Sequence, residues 1–205
     1  MFDPAMRPLV GPPLERAGTW LAARRVSANA VTLTGLAIGL LVLPSLAYQQ
    51  YEAALVVILA NRLCDGLDGA IARRTGPTAF GGYLDIVCDA VFYAAVPLGF
   101  ALADPRNGPW AALLLATFVC TMTSFLGRAI VAAKRGEVDD GARGRKSFFY
   151  AAGIIEGTET IAAFVLFCLL PSHFPLFAGI FSALCLWTVV ARVLECARSE
   201  RNAPD

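Results

Sequence analysis

Four aspartates fall within 25 residues of a chain that is otherwise built from long apolar runs. No other feature restricts its fold as much. Asp65 and Asp68 are three residues apart, and Asp85 and Asp89 are four apart. On helices, residues at those spacings project from one face, about one turn from each other. Two such helices laid side by side would bring four carboxylates together. In apolar surroundings, like charges gathered this way either take up protons or hold cations, and hard oxygen ligands suit Mg²⁺ or Mn²⁺. The alternative is that the acids pack helices through buried hydrogen bonds, but four carboxylates inside membrane spans have no such structural use. Gly66, Gly69 and Ala72 remove bulk along the first of these helices, which lets a second backbone or a flat ligand approach. Arg73 adds a fixed positive charge at its end.

The rest of the composition sets the solvent. With 205 residues, 57% of them hydrophobic, 16% charged and a mean hydropathy of +0.61, the chain is too apolar for a soluble domain of its size. It reads as an all-α, polytopic membrane protein. The net charge of +1 matters less than its distribution, and no nucleic-acid partner is expected. Cysteines 64, 88, 120, 168, 185 and 196 show no paired spacing and mostly sit in apolar runs, which suits packed, reduced thiols. Without an internal repeat or a low-complexity linker, one membrane domain is expected over residues 29–195. Residues 1–28 would be a cytoplasmic juxtamembrane segment and 196–205 a cytoplasmic tail.

Residues 1–25 hold Arg7, Arg16, Arg24, Arg25 and several prolines but no apolar core of the signal-peptide type, so no cleavable leader is expected. Between Pro13 and Arg25, Leu14, Ala17, Leu21 and Trp20 share a face at helical spacing. That pattern fits an amphipathic helix on the membrane surface, or equally an ordinary lead-in to the first span. Six spans are predicted, at 29–48, 52–74, 79–103, 110–134, 147–170 and 175–194, each near the ~20 residues needed to cross a bilayer. The two that carry the acids must turn polar faces to a protein cavity.

Charge then orients the spans. Arg24, Arg25, Arg73, Arg74, Lys134, Arg135, Arg143, Arg145, Lys146, Arg192, Arg198 and Arg201 all fall on one side of a six-span arrangement. Of the lysines and arginines, only Arg106 falls in the opposite loops. By the positive-inside rule both termini are cytoplasmic. Thr75-Gly76-Pro77-Thr78 closes one helix and opens the next. Counting ~1.5 Å per residue, the acids lie on the order of 10 Å inside the cytoplasmic boundary, in a cavity open to the cytoplasm.

The run Asp65-Gly66-Leu67-Asp68-Gly69-Ala70-Ile71-Ala72-Arg73, followed by Gly81-Gly82-Tyr83-Leu84-Asp85-Ile86-Val87-Cys88-Asp89, resembles the signature of the CDP-alcohol phosphotransferase family. Every fixed position of that signature is filled, with a spacer between Arg73 and Gly81 one residue shorter than the family's usual one. Asn29 and Thr32 also look like the Asn-x-x-Thr that often opens the family's first span.

The resemblance implies an integral-membrane phosphatidyltransferase of phospholipid synthesis. CDP-diacylglycerol would be attacked by the hydroxyl of a small acceptor of the glycerol 3-phosphate, inositol phosphate or serine type, with release of CMP. It implies a two-metal Mg²⁺ or Mn²⁺ site held by Asp65, Asp68 and Asp85 with Asp89 in reach, and Asp89 as the base that accepts the hydroxyl proton. Gly69 and Ala72 would admit the cytidine, Arg73 would meet phosphate or ribose oxygens, and Gly81 would belong to the same nucleotide site. A homodimer in the cell membrane matches the family habit.

Other ionisable residues leave alternatives open. Arg128, Glu156, Glu159 and Arg192 fall within or near apolar runs and would either pair internally or shape the acceptor pocket. Arg143, Arg145 and Lys146 suit an acceptor phosphate or anionic headgroups, or serve only as a topology signal. His173, between Pro171 and Pro175, reads as a loop residue. Two other functions compete: a transferase with a soluble CDP-alcohol donor and a diacylglycerol acceptor, and a divalent-cation transporter. Transport is disfavoured because such sites usually lie near the midplane with access from both sides, whereas these acids lie toward one face.

Overall fold

Gly76 and Pro77 separate the two acid-bearing helices. In the computed structural model, which describes residues 3–135, 155 and 157–201, α4 spans Tyr51–Thr75 and α5 spans Ala79–Ala103. Gly76 follows α4 with φ 99°, a region that side chains with a Cβ rarely enter, and its N–H still bonds the Ala72 carbonyl. Thr78 then caps α5 by accepting the Gly81 N–H at 3.0 Å. This tight connection sets Asp65 and Asp68, near the end of α4, beside Asp85 and Asp89 near the start of α5.

The first predicted span, 29–48, is broken. α2 (Ala28–Gly39) and α3 (Val42–Ala47) meet at Leu40 and Leu41. The cause is Pro44, which has no N–H for the Leu40 carbonyl, and that carbonyl accepts from Leu43 instead at 3.2 Å. The bend lets α3 follow α5, where Gly99 leaves no room for a side chain: a Cβ there would lie 2.7 Å from the Leu46 Cβ.

Before these comes α1 (Asp3–Ala23), longer than the helix expected from Pro13 onward. It lies against α4. The contact is close because both helices are thin there: a Cβ on Gly18 would come 2.5 Å from the Ala70 Cβ, and one on Gly66 would come 2.7 Å from Leu14. Leu14, Ala17 and Leu21 are half-buried as their shared face predicts, whereas Trp20 is exposed with the Arg24 guanidinium stacked 3.3 Å over its ring.

After α5 the chain continues through α6 (Gly108–Lys134), α7 (Gly157–Leu169) and α8 (Phe174–Arg201), with no strand among the described residues. The apolar core lies away from the acids, along the later turns of α5, where Phe92, Phe100, Phe164, Phe167 and Phe174 are fully buried. Phe100 stacks on Phe174 with centroids 4.3 Å apart, and Phe167 meets both edge-on. All six cysteines are free thiols, as their spacing suggested.

Among the described residues, four segments are long and apolar enough to cross a membrane: Ala28–Ala47, Ala79–Ala103, Pro105–Lys134 and Pro171–Arg198. The six predicted spans therefore reduce to four on this criterion. α4 has the length but holds Glu52, Arg62, Asp65, Asp68, Arg73 and Arg74, and α7 is a shorter apolar helix of 13 residues. The beginning of the predicted span 147–170 lies outside the described residues. His173 sits in the short turn before α8, as expected.

Candidate active site

Three of the four aspartates converge. Asp65 and Asp68 from α4 and Asp85 from α5 each offer a carboxylate oxygen, and these oxygens lie within 4.8 Å of one another. Asp68 is the most enclosed, with 7% of its surface exposed. Its Oδ2 accepts from the Thr32 hydroxyl at 2.6 Å, so α2 supplies the wall opposite the two acid-bearing helices. α2 can come this close because of Gly35 and Gly39. A Cβ on Gly35 would lie 2.8 Å from the Cys64 Cβ, and one on Gly39 would lie 2.7 Å from the Asn61 amide nitrogen. The three carboxylates, Thr32, Cys88 and Asp89 line one small recess between α2, α4 and α5.

Asp89 is held differently. Its Oδ1 accepts from the Arg62 guanidinium at 2.8 Å, and the same guanidinium reaches toward Asp65 at 3.7 Å. Arg62 also donates twice to the Asn61 side-chain oxygen, while the Asn61 amide donates to the Gly35 carbonyl at 2.8 Å. Sequence reasoning passed over Arg62 and Asn61 and treated Thr32 only as a helix-opening residue. A signal was present, since Arg62 stands three residues before Asp65 inside an apolar helix and an ionisable group in such a place is seldom idle.

The remaining expected site residues scatter. Arg73, exposed at the end of α4, donates to the Glu15 carboxylate of α1 at 2.7 Å, and Arg74 lies 3.7 Å from the other Glu15 oxygen. Gly69 and Ala72 lie on α4 beside it, and a Cβ on Gly69 would stand 3.2 Å from an Arg73 guanidinium nitrogen. Gly81 opens α5 next to Asn29, whose side-chain oxygen would lie 3.2 Å from an added Cβ. Arg128 is buried on α6 and Glu159 lies in the first turn of α7, neither of them lining the acidic recess. Arg192, buried on α8, donates to the Thr121 carbonyl of α6 at 3.0 Å. Arg143, Arg145, Lys146 and Glu156 lie outside the described residues.

Three hard oxygen donors within one ion's reach, from two helices fixed by a tight turn, match the donor chemistry of Mg²⁺ or Mn²⁺. The fold and this recess define an all-helical protein, rich in membrane-length helices, whose polar chemistry gathers at the junction of α2, α4 and α5. The chain belongs to the CDP-alcohol phosphatidyltransferase family, whose model matches residues 25–194.

Among its relatives, the inner membrane protein YnjF of Escherichia coli strain K12 is 49% identical over 197 residues, covering 94% of each chain. The archaetidylinositol phosphate synthase of Pyrococcus horikoshii is 38% identical over 98 residues, 47% of this chain and 52% of that one. The phosphatidylcholine synthase of Mesorhizobium japonicum is 26% identical over 193 residues, 91% of this chain and 66% of that one. The fold is similar to that of Mycobacterium tuberculosis phosphatidylinositol phosphate synthase, solved with CDP-DAG bound. The TM-score there is 0.70 at 21% identity, over 88% of this chain and 91% of that one.

Proposed function

We propose that the protein transfers a phosphatidyl group from CDP-diacylglycerol to the hydroxyl of a small acceptor, of the glycerol 3-phosphate, inositol phosphate or serine type, and releases CMP. The observation that carries this reading is the convergence of Asp65, Asp68 and Asp85 in a recess lined by all four acidic positions of the family signature. Relatives named for phospholipid head-group synthesis, and a similarly folded enzyme solved with CDP-DAG bound, support it.

In this reading the acceptor oxygen attacks the phosphorus that carries the diacylglycerol. The bond from that phosphorus to the CMP oxygen breaks, CMP leaves with the bonding pair, and Asp89 takes the acceptor proton. Asp65, Asp68 and Asp85 hold Mg²⁺ or Mn²⁺. When bound, the cation neutralises the diphosphate and stabilises charge on the phosphorus and leaving group. Gly69 and Ala72 keep the α4 surface low enough for the cytidine, Arg73 exchanges Glu15 for substrate oxygens, and Gly81 keeps the mouth of the recess open beside Asn29. Arg128, Glu159 and the basic residues Arg143, Arg145 and Lys146 are the candidates for shaping the acceptor side.

The enzyme sits in the cell membrane as one six-span domain over residues 29–195, with both termini and the recess facing the cytoplasm, and it forms a homodimer. α4 and α7 supply the two crossings beyond the four apolar segments, since α4 is 25 residues long and turns its acids inward.

The test is CMP release from CDP-diacylglycerol by the purified protein with Mg²⁺ or Mn²⁺ across a panel of acceptors. Release that depends on one acceptor and disappears in Asp68→Asn is expected. Release only with a CDP-alcohol and diacylglycerol would overturn the donor assignment, and ion uptake into proteoliposomes without any CMP would overturn the enzyme.

A further inference from the structure

Arg73 and Arg74 end α4 with two adjacent positive charges, and one carboxylate serves both. Glu15 of α1 accepts the Arg73 Nε–H on its Oε1 at 2.7 Å, while its Oε2 stands 3.7 Å from the Arg74 Nε. Among the described residues, no other acid meets either guanidinium. The backbones that carry these side chains are held firmly. A Cβ on Gly18 would lie 2.5 Å from the Ala70 Cβ, and one on Gly66 would lie 2.7 Å from Leu14, so α1 has no room to slide along α4. The side chains themselves reach solvent, with 34% of Glu15, 51% of Arg73 and 54% of Arg74 exposed. α1 is therefore a fixed mount for a carboxylate that can turn. On its inner side Arg73 folds back along α4, close enough that a Cβ on Gly69 would stand 3.2 Å from one of its terminal nitrogens. Glu15 thus holds by its Nε edge an arginine that already lies over Gly69.

We propose that Glu15 is a built-in competitor of the nucleotide for Arg73, and that Arg74 is the positioning residue that receives Glu15 when substrate oxygens take its place. The inference rests on the nucleotide-binding role of Arg73, and it adds two residues that lie outside the signature. The exchange needs no movement of α1. The second oxygen of Glu15 already faces Arg74, so release from Arg73 only has to close a 3.7 Å approach to hydrogen-bond distance. Each charge keeps a partner throughout: Arg73 passes from a carboxylate to a phosphate or ribose oxygen, and Glu15 passes from Arg73 to Arg74. When the product leaves, the carboxylate returns to Arg73. Because exposed ion pairs are weak, this competition changes nucleotide affinity by a small factor and eases release, and it does not shut the site.

The test is the affinity for radiolabelled CDP, measured by equilibrium dialysis on the full-length, detergent-solubilised protein with Mn²⁺, a readout that needs no turnover. Glu15→Gln should bind CDP about two- to fivefold more tightly than the wild type. That gain should vanish when Glu15→Gln is made together with Arg73→Gln; a gain that persists there means that Glu15 acts only as a nearby negative charge, which overturns the proposal. Arg74→Gln should weaken CDP binding by a similar factor, because Glu15 then has nowhere else to go, and should have no effect in the Glu15→Gln background. An equal loss in both backgrounds would show Arg74 acting through its field alone and would overturn its part. A lower melting temperature in Glu15→Gln with unchanged CDP affinity would mean that the pair merely ties α1 to α4, and the exchange would fall. A wild type that does not bind CDP removes the nucleotide reading itself, whereas CDP binding that Glu15→Gln leaves unchanged removes only the exchange.

Discussion

Asp68 is a carboxylate with almost no contact with solvent, and the Thr32 hydroxyl at 2.6 Å meets part of its need for a donor. A hydrogen bond to a charged group contributes about 1.5–3 kcal/mol, and losing it leaves the buried oxygen unsatisfied. Thr32→Val, close in shape but without the hydroxyl, should therefore lower thermal stability in metal-free buffer by about 1–3 kcal/mol. Because a cation on Asp68 offers the same oxygen a partner, Mn²⁺ should recover part of that loss. Melting curves of both proteins with and without Mn²⁺ check this, and an equal deficit under both conditions would separate Thr32 from the metal site. At this scale the sequence was partly legible. Its four acids announced themselves by standing in apolar runs, and three of them do converge. Thr32 and Asn61 did not, because a hydroxyl and an amide acquire meaning only once α2 is known to lie across α4, whereas Arg62 carried a signal in its place three residues before Asp65.

Helix α1 is attached to α4 by two interactions of different strength. The Glu15–Arg73 pair is partly exposed, with 34% and 51% of the two side chains accessible, and pairs of that kind are worth about 0–1 kcal/mol. Packing of Gly18 on Ala70 is the stronger constraint, since there is no space for one more carbon. Gly18→Leu should thus cost about 1–3 kcal/mol through overpacking, whereas Glu15→Gln should move the melting temperature little. A Gly18→Leu protein that melts with the wild type would show that α1 can lift from α4 without cost. Element positions followed well from hydropathy and from the Gly-Pro signal at 76–77. The bend between α2 and α3 did not, because hydropathy is blind to the N–H that Pro44 lacks, and the charges on α4 hide a 25-residue helix from any measure of apolar content.

For the whole molecule the orientation in the membrane has the sharpest test. In a background with the six native cysteines replaced, a cysteine at Gly76 should react with an impermeant thiol reagent only after the cytoplasmic face is exposed. One at Arg106 should react from outside. The opposite pattern would invert the molecule and with it the side from which a nucleotide reaches the acids. At this scale the legible signal in the sequence was the one-sided distribution of lysines and arginines.

The contact between Gly18 and Ala70 also has a consequence over evolutionary time. Neither position can drift alone: a larger residue at 18 demands glycine at 70, and a larger residue at 70 is barred while 18 has already reached its minimum. Among relatives that keep α1, the two positions should covary, their combined volume staying nearly constant while the residues around them change freely.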